Sequence, residues 1–472
     1  MRKALYNNLN HKNLIFNMKK HNLIVIGLGP HARVCQYRFL DEMAQLGYSV
    51  KVKLLVELQD RKEDIENYFE NKKLLPDEIF GLPVSDRNNP EINPVLLDKL
   101  EQIKEDIDGI VLCTEPKAHK KYILWGLKNN IDILADKPLT APIINEQGPK
   151  QVWQDYLDIE EALQKSQAHL TLLTNKRVHP AYQEVYKQVK DFVTEYNMPI
   201  THIEISDGGG VWPFPIEFLT RENHPYKYGY GILLHTGFHY VDLLLQYQSI
   251  NHLIGLEEDK INLHAFATTP FDVLNQMPQK IYEKLFPGED FSKEFKEIPL
   301  QDYKKYGCLD IISNLQFEKN GAVITQATLN ILQNTLSSRD ERTLPKDLYL
   351  NIGRLTQNYI SIFCGPLFNV RLNFFQPDQI EPDDCDRYVV ELSRNTALIG
   401  GESYCCYEFE DKTSSMVNKR ITLNRKSKER IFLNWMNGDC PETDFALHKR
   451  TAWLTSKLFE EVFARRKERF EK

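Results

Sequence analysis

The chain lacks any hydrophobic run long enough to cross a membrane. Its apolar stretches, such as residues 23–26 and 232–234, fall far short of the roughly 20 residues that a spanning helix needs. No apolar segment typical of a signal peptide opens the chain. These absences predict a soluble protein of the cytoplasm that does not bind membranes.

Blocks of five or more basic residues are also missing, and the formal net charge is -7. Binding to a phosphate backbone needs clustered positive charge, so we expect no nucleic-acid partner. The eight cysteines form no CxxC pair, which predicts reduced thiols and no metal site built from cysteines.

What the chain does contain is ample apolar material, 42% of 472 residues, enough for a folded protein of about two domains. Short apolar runs alternate with helical patterns from residue 21 onward. Such alternation is typical of a parallel sheet covered by helices. We therefore predict an α/β fold whose first domain, residues 21–140, is a Rossmann domain with strands at 23–26, 50–56, 109–113 and 131–134 and helices at 30–46, 61–70 and 118–129.

The pattern changes after residue 140, where β-rich segments follow one another with few helices between them. This predicts that residues 141–472 form an α+β domain with a large, mostly antiparallel sheet and a helix near its C-terminal end. We place strands at 201–205, 322–329, 348–355, 370–375 and 387–392, loop-rich insertions at 271–307 and 377–386, and a terminal helix at 442–472. Residues 1–20 are expected to lie outside the fold, with Met18 a possible true start.

A glycine-rich turn directly follows the first strand and opens a helix, as a dinucleotide-binding turn does. Gly27 permits the tight turn, Gly29 leaves the backbone open to a pyrophosphate, and Ala32 allows close packing of helix on strand. Pro30 and His31 complete the turn, and Pro30 suits the first helical position. The simpler interpretation is a tight strand-to-helix turn without a ligand.

The residues that follow the second strand bear on which type of dinucleotide is bound. Glu57 can accept hydrogen bonds from an adenosine ribose, which favours NAD, whereas Arg61 beside Lys62 can hold a 2′-phosphate, which favours NADP. Both features are also typical of a solvated strand end and a charged helix face. The cofactor prediction is therefore NAD or NADP.

Four further motifs resemble the glucose-fructose oxidoreductase and inositol dehydrogenase family, called Gfo/Idh/MocA. The sequence has Thr114, Pro116 and His119 after one strand and Asp136-Lys137-Pro138 after the next. Farther on, residues 175–180 are similar to the family's Asn-x-Arg segment and residues 229–242 to its Gly- and His-containing motif. Together with the glycine-rich turn, these motifs span residues 23–242, about half the chain, in the family's order.

The resemblance implies that Thr114, Pro116, His119, Asp136, Lys137 and Arg177 help to bind the cofactor. It also implies a catalytic role for Lys137, which would bind substrate and stabilise charge on the reacting oxygen, and for His239 as proton acceptor and donor. Asp242, three residues on, would orient that imidazole or bind substrate. Alone, Lys137 would be taken for a surface lysine and His239 for a core histidine.

Two residues depart from the family pattern. Asp136 stands in place of glutamate and keeps the charge, whereas His235 stands where the family has aspartate. We expect His235 to contact substrate, but as a group that can also donate a hydrogen bond. A zinc site at His235, His239 and Asp242 is not expected, since no HExxH motif or cysteine ligand accompanies them.

The resemblance thus implies an NAD(P)-dependent dehydrogenase or reductase acting on a hydroxyl or keto carbon of a sugar, cyclitol or similar polar metabolite. Because of His235, a non-catalytic dinucleotide-binding regulator is the alternative. A third possibility is a sugar-modifying enzyme that retains and recycles its cofactor. By resemblance we expect a homodimer or homotetramer formed through the open face of the second sheet.

Overall fold

The computed structural model describes residues 2–4, 21–141, 148–222, 225–296, 301–336, 357–375, 386–410 and 422–471. The strands are β1 Arg2–Ala4, β2 His21–Ile26, β3 Val50–Leu58, β4 Ile79–Leu82, β5 Gly109–Leu112, β6 Asp132–Ala135, β7 Leu170–Leu172, β8 His202–Trp212, β9 Lys260–Ala267, β10 Ile311–Lys319, β11 Ala322–Leu336, β12 Gln357–Cys364, β13 Phe368–Phe375, β14 Arg387–Arg394 and β15 Tyr404–Glu410.

Helices connect and cover these strands. They are α1 Pro30–Val34, α2 Gln36–Gln45, α3 Lys62–Phe69, α4 Pro94–Ile103, α5 His119–Lys128, α6 Gly148–Gln164, α7 Pro180–Tyr196, α8 Glu217–Thr220, α9 Phe238–Gln248, α10 Pro270–Gln276, α11 Gln279–Leu285, α12 Ser292–Lys296, α13 Thr396–Ile399, α14 Leu423–Met436 and α15 Lys449–Phe470.

The first sheet is parallel, with six strands in the order β4-β3-β2-β5-β6-β7. Helices cover both faces of the sheet, so the last four residues of β2 and all four residues of β5 are apolar and buried. Parallel strands end at one common edge, so the turns after β2, β5 and β6 lie together. The predicted Rossmann-type sheet is confirmed.

The second sheet has nine strands in the order β1-β15-β14-β13-β12-β8-β11-β10-β9. Its pairs are antiparallel except β8 with β11 and β1 with β15. Burial alternates along β10 and β13, with one face packed into the core and the other exposed. Helices α7, α9 and α15 pack on this sheet. The predicted mostly antiparallel second sheet is thus confirmed.

Several boundaries differ from the sequence-based expectation. The parallel sheet extends past residue 140, since β7 pairs with β6. The single helix expected at 30–46 is two helices, interrupted at Cys35, whose φ of -121° and ψ of -88° are not helical. The insertion at 271–307 contains the short helices α10, α11 and α12 rather than loops alone.

The ends of the chain also differ. Arg2–Ala4 pairs with β15, whereas residues 1–20 were expected outside the fold; residues 5–20 lie outside the described residues. The strand expected at 348–355 also lies outside the described residues, and so does all of the insertion at 377–386 except Asp386.

Helix α14, which was not predicted from the sequence, follows the second sheet but packs on the first domain. Trp435 of α14 lies so close to β5 that a Cβ on Gly109 would come within 2.8 Å of its indole ring. Phe432 packs against Phe39 of α2, with ring centroids 6.0 Å apart. The C-terminal part of the chain therefore supplies side chains to the edge of the parallel sheet.

Candidate functional site

The glycine-rich turn after β2 contains two glycines, and the structural reason for having glycine differs between the two positions. Gly27 adopts a φ of +94°, and a Cβ there would lie 2.7 Å from the backbone of Thr114. Gly29 is extended, and a Cβ there would meet no protein atom within 4 Å. Gly27 is thus required by the fold, whereas Gly29 faces open space that an approaching ligand can use.

Glu57 and Arg61 are bonded to each other at the end of β3. One carboxylate oxygen of Glu57 accepts hydrogen bonds from the backbone N–H of Leu28, at 2.7 Å, and from Arg61, at 2.9 Å. Arg61 also pairs with Asp64 at 2.7 Å. The acidic and basic residues that point to different dinucleotides therefore form one cluster beside the glycine-rich turn.

His31 links three parts of the chain. Its Nδ1 lies 3.0 Å from a carboxylate oxygen of Asp136, and Nζ of Lys428 of α14 lies 2.7 Å from its Nε2. Burial opposes a positive ring, but the Asp136 carboxylate outweighs it and raises the pKa of His31 to about 9. Despite the cost of burial, the neighbouring cations hold the pKa of Asp136 well below its usual range.

Lys137 follows Asp136 at the carboxyl edge of the sheet. Its Nζ donates a hydrogen bond of 2.8 Å to the backbone carbonyl of His235, so the first domain contacts the second here. Burial lowers the pKa of Lys137 to about 8, with Lys428 and Lys176 adding to the effect and Asp136 opposing it. A lysine with this pKa can both give and take a proton near neutral pH.

His235 and His239 lie where a π-helical turn, Leu233–Gly237, runs into α9. Both side chains are half-buried. Nδ1 of His239 is buried and has no hydrogen-bond partner among the described residues. Burial and then the charge of Lys137 lower the pKa of His239 well below its usual value. The lowered pKa favours the neutral ring, the form that can accept a proton, and the acid/base role of His239 stays a prediction.

The structure separates Asp242 and Arg177 from the expected site. Arg177 donates to both carboxylate oxygens of Asp242, at 2.6 and 2.9 Å, and both side chains are buried. His448 and Thr451 add contacts to Asp242 of 2.9 and 2.8 Å. The oxygens of Asp242 and the guanidinium of Arg177 are therefore taken up in this buried network, and their roles toward His239 and a cofactor stay predictions.

His119 is a second correction, because it is fully buried rather than open to a cofactor. Its Nδ1 lies 3.0 Å from the carbonyl oxygen of Leu139, and its Nε2 lies 3.1 Å from that of Thr114. The ring thus ties together the turns after β5 and β6. Pro116 is likewise buried, and Thr114 contributes backbone packing against Gly27.

Sequence reasoning missed two lysines at this site. Lys428 lies on α14, where the spacing of Ile431, Phe432 and Trp435 indicates a helix but not the surface it packs on. Lys176 lies inside the Asn-x-Arg motif, of which only Arg177 was predicted to belong to the site. The charges that act on Lys137 therefore come from the adjacent Asp136 and from three segments farther along the chain, those of Glu115, Lys176 and Lys428.

Within the described ranges, no group of three or more histidine, cysteine, aspartate or glutamate side chains is arranged to hold a metal ion. Among the described helices, none has the length and apolar character needed to span a membrane.

No family model matches the sequence, and no curated protein matches it. Solved structures do match the fold. An oxidoreductase from Sinorhizobium meliloti has a TM-score of 0.54 at 13% identity, covering 95% of this chain and 98% of that one. A 3-ketoreductase from Actinomadura kijaniata, solved with NADP and TDP-benzene, has a TM-score of 0.52 at 14% identity, covering 94% and 98%.

The WlbA dehydrogenase from Bordetella pertussis, solved with NADH and UDP-GlcNAcA, has a TM-score of 0.51 at 13% identity, covering 94% of this chain and 97% of that one. The matched structures are oxidoreductases and dehydrogenases of the Gfo/Idh/MocA type, so the predicted resemblance is confirmed at the level of the fold. At these identities the likeness shows the fold alone.

Proposed function

We propose that this protein is an NAD(P)-dependent oxidoreductase acting on a hydroxyl or keto carbon of a sugar, cyclitol or related polar metabolite. The observation that carries the proposal is the position of Lys137, which is half-buried at the carboxyl edge of the parallel sheet, donates to the His235 carbonyl of the second domain and has a pKa of about 8. The nucleotide-bound structures of the same fold support it.

The residues fit a dinucleotide at the edge of the parallel sheet. The open space at Gly29 admits the pyrophosphate, and the cluster of Glu57 and Arg61 lies where the adenosine ribose would be held. The nicotinamide, when bound, accepts or donates the hydride. Lys137 takes the hydroxyl proton during oxidation and returns it during reduction, while the neutral His239 offers a hydrogen bond to the same oxygen.

A steric change at Gly29 tests the cofactor site. Gly29→Trp should keep the parent's thermal stability, because no protein atom lies near its Cβ position, yet saturable binding of NADH and NADPH should be lost. Reduced-nicotinamide fluorescence measures the binding. Both dinucleotides are titrated because Glu57 suits a 2′-hydroxyl and Arg61 a 2′-phosphate.

The control is Val34→Trp, which adds the same indole at the last residue of the helix that follows Gly29. Val34 is 55% exposed, so this variant should bind both dinucleotides as the parent does. Gly29→Trp that binds like the parent contradicts the assignment of the turn. A parent protein that binds neither dinucleotide rejects the oxidoreductase proposal as a whole.

The pH dependence should identify the proton carrier. Neutral Lys137 is the form that accepts a proton, so kcat/KM for oxidation should rise as pH passes about 8, whereas kcat/KM for reduction should fall there. Because the pKa of His239 is lowered well below 6.5, no inflection is expected near that value. A profile governed by a single group near pH 6.5 would assign the proton to an imidazole instead.

A non-catalytic regulator remains the second candidate because His235 replaces the family's aspartate. It predicts tight dinucleotide binding without turnover of any polar metabolite in a substrate screen. Cofactor that stays bound through gel filtration while substrates are converted would instead indicate an enzyme that recycles its own dinucleotide.

We also infer a cytoplasmic homodimer or homotetramer formed by the exposed face of the second sheet. Exposed apolar side chains lie along this face, on β9, β10, β13 and β15: Phe266, Ile312, Phe375 and Tyr404. Light scattering on the purified protein checks the inference. Replacing Ile312 with lysine should reduce the measured mass to that of a monomer.

A further inference from the structure

Lys176 lies next to the proposed reaction centre without being part of the proposed cofactor site. It belongs to the short turn Asn175–Val178 that follows β7. Since β6 and β7 are parallel neighbours, this turn and Lys137 lie at the same edge of the sheet. The positive charge of Lys176 is near enough to lower the pKa values of Lys137 and His239.

The ammonium group of Lys176 lies against aromatic rings. It is 4.8 Å from the ring centroid of Tyr182 and 4.4 Å from that of Tyr240. Its Nζ donates one hydrogen bond, of 3.1 Å, to the hydroxyl oxygen of Tyr182. None of the described carboxylates lies within ion-pair distance of it. An ammonium group has three donors, so two of them are left for a ligand.

The carboxylates around the site do not balance the lysines. Asp136 is paired with His31, and Asp242 with Arg177. Burial raises the pKa of Asp207, which favours its neutral form. Glu115 is one further carboxylate that acts on Lys137. Against these carboxylates stand Lys137, Lys176 and Lys428, and His235 stands where the resembled family has aspartate. The substrate side of the site is therefore short of negative charge.

We propose that the substrate carries an oxyanion, a carboxylate or a phosphate, which the free donors of Lys176 bind while Lys137 and His239 face the reacting carbon. This inference rests on the proposed function and narrows its substrate class from polar metabolites to anionic ones. A charged acceptor would also gain from the half-buried, aromatic surroundings of Lys176, where hydrogen bonds to an ion are strong.

A structural role for Lys176 makes a different prediction. In that case the ammonium group serves as a distant counter-ion for Asp207, and its removal lowers stability without changing which ligands bind. Preference between a charged ligand and a neutral one of the same shape is the property that separates the two roles.

The test uses the full-length protein saturated with NADH and matched ligands. D-Glucuronate is compared with its uncharged methyl ester, and D-glucose 6-phosphate with D-glucose, by calorimetry. We expect at least one anion to bind about tenfold or more tightly than its neutral counterpart, the effect of one charge-assisted contact. Whether carboxylates or the phosphate show the preference identifies the source of the oxyanion.

Lys176→Ala should abolish that preference and leave NADH binding unchanged, and Lys176→Arg should restore part of it. Lys187→Ala, an exposed lysine on α7, is the control that should behave as the parent. Equal binding of acids and neutral ligands, a preference that survives in Lys176→Ala, or no binding by any anion of the panel overturns the proposal. A parent that fails to bind NADH overturns the proposed function instead.

Discussion

Replacing Lys137 with methionine should lower kcat by about 10²- to 10⁴-fold, the usual contribution of a positioned proton-transfer group. Methionine keeps the length and apolar part of the side chain but removes the ammonium group that lies 2.8 Å from the His235 carbonyl. Dinucleotide affinity should change little, because the lysine acts on the reacting oxygen. Steady-state kinetics and a fluorescence titration measure the two effects separately.

The comparison variant is Lys128→Met, at an exposed lysine of α5, which should match the parent in both measurements. A Lys137→Met protein that keeps more than about a tenth of the parent's kcat would remove Lys137 from the proton-transfer role. Loss of dinucleotide binding together with activity would instead assign it to the cofactor site.

Breaking the buried pair of Arg177 and Asp242 should have the largest effect on stability. Asp242→Ala leaves the guanidinium of Arg177 without its carboxylate in a buried site, and a buried charge without its partner costs about 3–5 kcal/mol of the free energy of unfolding. His448 and Thr451 would lose their contacts with the same carboxylate. Urea unfolding followed by circular dichroism measures the change.

An exposed pair provides the control. Glu161 and Lys165 lie 2.5 Å apart with side chains 69% and 71% exposed, so Glu161→Ala should leave the midpoint nearly unchanged. If Asp242→Ala also left the midpoint nearly unchanged, the pair would not stabilise the fold. A catalytic role for Asp242 would then be the better interpretation.

The pair of Arg177 and Asp242 also predicts the direction in which stability changes with pH. Burial alone would raise the pKa of Asp242, but Arg177 and His448 hold this pKa well below its usual range. The stabilisation is therefore complete at pH values above the unfolded pKa of about 3.9 and is lost as pH falls toward the folded value. Asp242→Ala should unfold with a weaker dependence on acid than the parent.

The sequence-based predictions were most successful where local pattern and local chemistry agree. Buried parallel strands are recognised by continuous apolar runs, and the turn at Gly27 and Gly29 by its place between strand and helix. Predictions from a motif's spacing alone were weaker. His119, Arg177 and Asp242 matched family positions, yet each is buried and bonded to other protein groups.

Local sequence cannot show which segment supplies a partner from far along the chain. The charge-rich residues of α14 resemble a surface helix, and only their packing brings Lys428 within 2.7 Å of His31, 397 residues away. The pKa of His239 depends in the same way on burial and on lysines from other elements. Neither effect has a signature in the neighbouring residues.

The sequence by itself determined the two kinds of sheet, the glycine-rich turn and the order of the motifs, because strand patterns and tight turns depend on residues close together in the chain. Only the tertiary structure decided which motif residues are buried in ion pairs and hydrogen bonds and which lysine has its pKa lowered by burial. Those properties follow from burial and from charges that folding brings together, and electrostatic effects act across space rather than along the chain.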